Sequence, residues 1–204
     1  MKLVDLTMPL NAQTPLWPGD PTPEFRQMAN VRQDGYTKYE ITINNHFGTH
    51  IDAPWHMLAK GKKLTDFPLQ RFIGVAKLFN VTGQKEIDIS LERVKRNDIV
   101  ILRTDHSRRA YEADYFQSNP VISRTLALGL ARKGISIIGL DSCTPDNTPF
   151  DLHKIFFRKN ILILENLINL DKINRPEFTI YIMPIKYDQI DGAPCRVIAR
   201  IGVE

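Results

Sequence analysis

The 204-residue sequence lacks several features that mark special classes of protein. Its two cysteines, Cys143 and Cys195, are too few and too far apart to indicate a disulfide framework. No apolar run approaches the roughly 20 residues that a membrane-spanning helix needs. Asp5 interrupts the apolar residues near the N-terminus, where a signal peptide requires continuity. We therefore expect a protein of the reducing cytoplasm that has no membrane partner.

Charge of one sign is not concentrated anywhere in the sequence. The formal net charge is only +4, and the basic residues form short clusters, such as Lys60 with Lys62 and Lys63 or Arg108 with Arg109. A nucleic-acid groove requires a larger basic patch, whereas short clusters are typical of a solvated surface. We expect no nucleic-acid partner.

The sequence also lacks internal repeats and low-complexity linkers, so nothing marks a domain boundary. Its hydrophobic content of 43% and charged content of 25% are ordinary for a globular protein. A chain of this length can bury a substantial core as one unit. Residues 1–204 are therefore predicted to form a single domain.

Short apolar runs and helix signals alternate along the chain. Apolar and β-branched residues predict strands over 2–7, 39–44, 74–81, 99–103, 135–140, 161–165, 178–185 and 195–201. A helix is predicted over 123–133, with Ser123 as its N-cap and Gly134 at its end. Asp151 is predicted to cap a second, short helix over 152–158. This alternation predicts packed α/β layers.

Three of the five histidines and one carboxylate lie between residues 46 and 56. The pattern is H-x3-H-x-D-x3-H, formed by His46, His50, Asp52 and His56. Imidazole and carboxylate groups are the usual ligands of catalytic zinc or manganese, and a set of three leaves a position for water. Glycine and proline argue against a helix here, and an extended segment with these even spacings directs all four side chains to one side. The segment is therefore predicted to bind a metal ion.

Four residues outside this segment are harder to assign from the residues alone. His153 lies in the predicted short helix, where a lone histidine is more often structural. Glu165 ends a strongly apolar strand, where a carboxylate needs a cation, a hydrogen-bond donor or water. Trp17 lies in a loop with five prolines over 8–23, and a lone loop tryptophan is more often a packing anchor. His106 is expected at the surface, since loop histidines are often solvated.

The histidine segment resembles the signature H-x-G-T-H-x-D-x-P-x-H of the putative cyclase family, which includes bacterial kynurenine formamidase and isatin hydrolase. It matches this signature at every specified position from His46 to His56. Shorter similarities to the family follow in the same order along nearly the whole chain, at 17–20, 141–146, 150–154, 164–167 and 191–196. The first motif is long and specific, so it carries the resemblance.

The resemblance implies a role for each candidate ligand. In the formamidase pattern, His46, His50 and Asp52 hold one metal ion. Asp52 and Glu165 then bridge to a second ion, and His153 completes the coordination of that ion.

The same resemblance implies that His56 donates and accepts protons and that Trp17 lines the substrate pocket. Zn²⁺ is the expected cofactor, with one or two ions per chain. Mn²⁺ is the alternative, because isatin hydrolases are associated with a single manganese. In a single-ion site, His153 and Glu165 would lie next to the ligands without binding the ion themselves.

The fold implied by the resemblance is the swivelling β/β/α type. It is an α/β domain with a mixed, barrel-like sheet and peripheral helices. Family members are typically homodimers or homotetramers, and a neighbouring chain often completes the pocket. The pattern of runs and helix signals supports a mixed α/β domain but does not by itself specify this topology.

The activity implied by the resemblance is metal-dependent hydrolysis of an aryl or cyclic amide, such as N-formylkynurenine or isatin, with metal-activated water and a histidine acid–base. Two alternatives stay open. One is a lyase or dehydratase that uses the ion as a Lewis acid, and the other is a non-catalytic protein that binds a small carboxylate through the ion. Residues 166–170 resemble the general cyclase branch more than the formamidases, so N-formylkynurenine is only one candidate substrate.

Overall fold

Twelve strands and three α-helices are present in the computed structural model, which describes residues 1–202. The strands are β1 (Lys2–Asp5), β2 (Glu24–Ala29), β3 (Lys38–Thr42), β4 (His50–Asp52), β5 (Ile73–Asn80), β6 (Glu86–Ile87), β7 (Ile99–Arg103), β8 (Val121–Ile122), β9 (Ile137–Leu140), β10 (Leu162–Glu165), β11 (Glu177–Pro184) and β12 (Gly192–Ile201). The α-helices are α1 (Val31–Asp34), α2 (Arg124–Lys133) and α3 (Asp151–Phe157). Within the described range, no helix combines the length and the hydropathy that a membrane span requires. The predicted mixture of helices and strands is confirmed.

Seven of these strands form a closed, mixed sheet. The order around the sheet is β12-β11-β5-β7-β9-β10-β4, and β4 pairs again with β12. Closure depends on the length of β12, since its residues 192–194 pair with β4 while 195–200 pair with β11. Neighbours among β5, β7, β9 and β10 are parallel, and the other pairs in the ring are antiparallel. The predicted mixed, barrel-like sheet is therefore confirmed.

Two apolar layers bury the parallel strands on both faces. Ile99 and Ile101 of β7 pack in the barrel interior, whereas Val100 and Leu102 pack in the layer that includes α2 and α3. This double burial explains why β7 is a continuous apolar run rather than an alternating one. Strand β11 does alternate between more and less buried residues, because only its inner face is covered by the core.

Capping residues set the ends of α2 as predicted. The side chain of Ser123 accepts a hydrogen bond from the N–H of Leu126, and Gly134 ends the helix with a left-handed φ of 69°. The prediction that Asp151 caps α3 is wrong. Asp151 is the first helical residue, and Phe150 precedes it with a φ of 60° and no side-chain cap.

Strands β2 and β3 form a separate two-stranded sheet outside the barrel, here called the β2–β3 hairpin. Every residue of β3 is exposed, and so are most residues of β2. The sequence predicts β3 but not β2, because the residues EFRQMA contain no β-branched side chain and no regular alternation. Apolar side chains stay exposed on this hairpin, among them Met28, Tyr39 and Ile41.

Candidate metal centre and active site

Strand β4 and the turns on either side of it carry the histidine segment. Only His50–Asp52 is a strand, so the segment is not extended over its whole length. The chain bends at Gly48, whose φ is 65°, and again in the 3₁₀ turn Pro54–His56. The left-handed φ at position 48 favours glycine, whereas a Cβ there would lie 2.3 Å from a terminal methyl of Leu10 and would require only that this side chain move. Despite these bends, all four polar side chains of the segment line one cavity.

Strand pairing places the second group of predicted ligands beside the first. β10 runs antiparallel to β4 with Glu165 opposite His50, and Nε2 of His50 lies 3.3 Å from a Glu165 oxygen and 3.4 Å from an Asp52 oxygen. Helix α3 packs on β10 and brings Nε2 of His153 to 3.5 Å from the other Glu165 oxygen. Nδ1 of His46 lies 2.7 Å from Asp52. The fold thus brings all five predicted ligands together.

Two carboxylate oxygens indicate that these residues fit a metal ion. Oδ1 of Asp52 and Oε1 of Glu165 are buried, and within residues 1–202 neither accepts a well-aligned hydrogen bond, although ring nitrogens of His46 and His153 lie 2.7 and 3.5 Å away. A buried carboxylate oxygen without such a bond is unfavourable, and a coordinated cation would compensate it. Ligand atoms of His50, Asp52 and Glu165 lie within 4.8 Å of one another, and so do those of His46, Asp52 and His56. Nitrogen and oxygen donors without sulfur suit a divalent ion such as zinc or manganese.

Each of the three predicted histidine ligands is oriented by a hydrogen bond from its other ring nitrogen. These bonds run from His50 Nδ1 to the Gly48 carbonyl (2.8 Å), from His153 Nδ1 to Asp146 Oδ1 (2.5 Å) and from His46 Nε2 to Asp191 Oδ2 (3.0 Å). Histidines that bind metals almost always have such a partner, because it fixes the tautomer and the ring orientation. The remaining nitrogen of each ring faces the carboxylates of Asp52 or Glu165.

Asp146 and Asp191 are site residues to which sequence reasoning assigns no role, although both lie in stretches that resemble the family, at 141–146 and 191–196. Asp146 also accepts a hydrogen bond from the N–H of Leu152 (2.6 Å), so it connects the start of α3 with His153. Its separation of 7 residues from His153 is the one local signal that could indicate this contact. Asp191 lies 145 residues from His46, and no local signal exists for that contact.

The carboxylates raise the pKa of three histidines at this centre, which are His46, His50 and His153. Burial alone lowers the pKa of His46, but Asp52 and Asp191 raise it to about 10. Burial likewise lowers the pKa of His153, and two neighbouring carboxylates raise it to about 9. Although burial acts in the opposite direction, the histidines hold the pKa of Asp52 well below its usual range. The centre therefore attracts positive charge, and a divalent ion that binds here displaces protons from the histidines.

A cavity of about 250 Å³ lies beside the ligands. It is lined by all seven residues predicted for the site, which are Trp17, His46, His50, Asp52, His56, His153 and Glu165. Phe116 and Phe150 also line it, and the Trp17 ring lies 5.3 Å from the first and 6.2 Å from the second between centroids. We call these three rings the aromatic wall. Sequence reasoning does not identify the two phenylalanines as pocket residues, because nothing distinguishes them from core aromatics.

His106 is buried, so its predicted surface position is wrong. It is only 5% exposed, and burial lowers the pKa of its ring. Its Nε2 lies 2.7 Å from the carbonyl oxygen of Tyr115, and the two rings stack with centroids 4.8 Å apart. The loop after β7 folds back over His106 and buries it, and the residue does not line the cavity beside the ligands.

The chain is similar to known proteins over nearly its full length. Residues 4–147 match the family described as putative cyclase. Kynurenine formamidase from Bacillus anthracis is 31% identical over 211 residues, and this match covers 98% of the present chain and 97% of that protein.

Solved structures resemble the barrel as a whole. A structure described as a potential metal-dependent hydrolase with cyclase activity is 26% identical, with a TM-score of 0.84, and the match covers 97% of this chain and 96% of that one. An isatin hydrolase bound to the product analogue thioisatinate gives a TM-score of 0.86 at 23% identity, over 97% of this chain and 91% of that one. At this identity the second likeness shows the shared fold alone.

Proposed function

The chain belongs to the putative cyclase family and is a metal-dependent hydrolase, and we propose that it cleaves the amide bond of an aryl or cyclic amide of the N-formylkynurenine or isatin type. One observation carries this proposal: a single cavity is lined by the ligand set, by His56 and by the aromatic wall. Such a cavity can hold a planar apolar group while it presents the attached amide to polar catalytic groups. The name of the kynurenine formamidase relative supports the same class of substrate.

Zn²⁺ is the proposed ion. His46, His50 and Asp52 would hold one ion, and Glu165 and His153 would hold a second ion together with Asp52. Both sets offer only nitrogen and oxygen donors, as many catalytic zinc sites do. When bound, such ions act as Lewis acids toward a carbonyl oxygen and make water more acidic. Metal analysis of the purified protein distinguishes one ion from two, and zinc from manganese.

His56 is the residue that we propose moves the proton during hydrolysis. It lines the cavity, and its Nδ1 lies 2.8 Å from Oδ2 of Asp191. Within residues 1–202 its Nε2 makes no hydrogen bond, so this nitrogen is available to take a proton from water. A histidine ring can accept and donate a proton near neutral pH. The same ring can therefore return the proton to the leaving amide nitrogen.

The aromatic wall supports an aryl substrate. Trp17 is partly exposed, at 39%, so part of its ring is available for contact with a ligand. The rings of Phe116 and Phe150 hold it from the side. Phe150 precedes α3 and its ring centroid lies 5.7 Å from that of His153, so the wall is joined to a predicted metal ligand. An aromatic group bound here gains apolar contact and offset ring packing.

A hydrolysis screen combined with metal analysis tests the proposal. The purified protein, with its metal content measured, is incubated with N-formylkynurenine and with isatin in ¹⁸O-labelled water. We expect a carboxylate product that contains solvent oxygen, and no product after chelation until zinc is restored. A product without ¹⁸O would indicate a lyase, and ligand-dependent stabilisation without product would indicate a binding protein. Either result would overturn the proposal.

We also propose that the β2–β3 hairpin contacts a second copy of the chain, in a homodimer or homotetramer. A two-stranded sheet is marginally stable alone, and Met28, Tyr39 and Ile41 are 50%, 52% and 57% exposed. Contact with another copy would cover this apolar surface. Light scattering after size exclusion measures the mass against the chain mass of 23.4 kDa. The double variant Tyr39→Ser with Ile41→Ser should shift the mass toward the monomer, and a monomeric wild type would contradict the proposal.

A further inference from the structure

Asp191 joins two histidines of the site through one oxygen atom. Its Oδ2 lies 2.8 Å from Nδ1 of His56 and 3.0 Å from Nε2 of His46. The two imidazole rings lie side by side, with centroids 4.2 Å apart and planes inclined by 39°. Because an ionised carboxylate only accepts hydrogen bonds, each ring must carry a hydrogen on the nitrogen that faces this oxygen. The lone pairs of the neutral rings then lie on Nδ1 of His46 and on Nε2 of His56.

We propose that Asp191 is a positioning residue that fixes both tautomers, keeping His46 ready to bind the ion and His56 ready to accept a proton on Nε2. This inference rests on the proposed hydrolytic function, in which His56 moves the proton. The free nitrogen of His46 faces Asp52 at 2.7 Å, as a metal ligand should. One carboxylate thus serves both the metal centre and the acid–base residue.

Asn45 holds Asp191 from the opposite side. Nδ2 of Asn45 donates to Oδ1 of Asp191 (2.7 Å) and to the carbonyl oxygen of Gly192 (3.2 Å). Because a backbone carbonyl only accepts, the second bond fixes which end of the Asn45 amide is the NH₂ group. The main chain of Asp191 is also held, since its carbonyl accepts from the N–H of Ala53 at 2.7 Å. Both oxygens of the Asp191 carboxylate therefore face donors.

This arrangement makes the effect of Asp191→Asn specific. If the new amide oxygen faces the two histidines, its NH₂ group opposes the NH₂ group of Asn45. If instead the new NH₂ group faces the histidines, His56 must carry its hydrogen on Nε2 and cannot accept a proton there. His46 must then carry its hydrogen on Nδ1, so its zinc affinity falls as well, and D191N is compared at saturating zinc. An Asp→Asn change that enforces the wrong histidine tautomer lowers kcat by about 10⁴-fold in a serine protease.

Four zinc-loaded proteins test the inference: wild type, D191N, N45A and the double variant N45A/D191N. We expect D191N to lower kcat by about 10²- to 10⁴-fold with little change in KM. N45A should cause only a small loss, because Asp191 keeps its bonds to both histidines. Without the opposing donor, the amide oxygen of the double variant can face the histidines, so it should regain about tenfold over D191N. Additive losses would show a merely structural role and overturn the inference.

Nitrogen-15 NMR of the histidine rings supplies a readout that needs no substrate. The wild type should carry the His56 hydrogen on Nδ1, with the signals assigned by their absence in H56A, and D191N should move it to Nε2. If these signals behave as expected but no amide is hydrolysed, the positioning role stands and the proposed function fails. A wild-type His56 protonated only on Nε2 overturns the inference even if D191N does not fold. Loss of activity in D191N that follows zinc loss, with unchanged His56 signals, also overturns it.

Discussion

The site has a deep half and a rim half that meet at Asp52. The deep half contains His50, His153 and Glu165, and the rim half contains His46, His56 and Asp191. Side chains of the deep half are at most 7% exposed, whereas those of the rim half are 22–27% exposed. The halves therefore differ in their access to water and substrate.

The two halves also differ in how their histidines are oriented. In the deep half each ring has its own partner, the Gly48 carbonyl for His50 and Asp146 for His153. In the rim half one oxygen of Asp191 serves two rings. The deep ligands thus have dedicated, buried partners, whereas in the rim half one carboxylate serves both the predicted ligand His46 and the proposed proton-transfer residue His56. Mutations should therefore separate the two tasks of metal binding and proton transfer.

Glu165→Gln is expected to have the largest effect, because it removes a negative charge from the deep half while conserving the shape of the side chain. We expect loss of bound metal and a fall in kcat/KM of more than roughly 100-fold. Changes in the residues that hydrogen-bond to a metal ligand cause losses of roughly 10- to 100-fold. Elemental analysis of the purified variant and steady-state kinetics measure both. Full metal content with wild-type turnover would contradict the assignment of Glu165 as a ligand.

His56→Ala in the rim half should keep the metal and lose the proton transfer. We expect kcat to fall by about 10²- to 10⁴-fold, with metal content equal to that of the wild type. His106→Gln is the matched control, because His106 is buried outside the cavity. It should lower the free energy of unfolding by about 1–3 kcal/mol through a lost buried contact and leave kcat near the wild-type value. If His56→Ala loses its metal as Glu165→Gln does, the two tasks are not separate.

Asp146→Asn tests whether Asp146, the hydrogen-bond partner of His153 in the deep half, supports metal binding rather than proton transfer. The amide weakens the bond to His153, so zinc affinity should fall by about 10- to 100-fold, as measured by competition with a chelator. The fall in kcat at saturating zinc should be smaller than that of Asp191→Asn. The reverse order of these two variants would refute the division into halves.

The smallest expected effect is the pH dependence of the stability of the metal-free protein and of its zinc affinity. In chelator-treated protein the pKa values of His46 and His153 are about 10 and 9, above the ordinary 6.5. Because these pKa values are raised in the folded state, their protons stabilise the metal-free protein fully below pH 6.5 and this contribution is lost as pH rises through 9 to 10. Zinc binding displaces the same protons, so zinc affinity should rise over that range. Thermal unfolding with chelator and with zinc measures both trends, and a metal-free Tm that rises across this range would count against them.

Local signals are sufficient for part of the fold. Helix α2 has its cap at Ser123 and its stop at Gly134, and β7 is a run of four apolar residues, so each could be predicted from its own sequence. Closure of the barrel could not be predicted in this way. It depends on β4 pairing with both β10 and β12, which places His50 opposite Glu165 and Pro194. These pairings join distant parts of the chain, so no local periodicity of the sequence predicts them.

The candidate site shows the same limit. Residue types and spacing, with the family resemblance, place the predicted ligands and His56 around one cavity. The roles of Asp146 and Asp191 come from contacts with histidines, and the stretches that resemble the family at 141–146 and 191–196 do not show which side chains these carboxylates contact. His106 shows the converse, because a histidine with an ordinary loop sequence is buried when the loop folds back over it.

Strand β12 has a consequence for the protein during its synthesis. It follows every other barrel strand in the chain, yet it pairs with β4 and closes the sheet. Until residues 191–201 have left the ribosome, β4 has only β10 as a neighbour and His56 has no Asp191. The histidine segment is translated early, but the contact between His56 and Asp191, which the proposed proton transfer uses, forms only with the last barrel strand. The nascent chain therefore contains the predicted ligands before it contains the strand that completes the site.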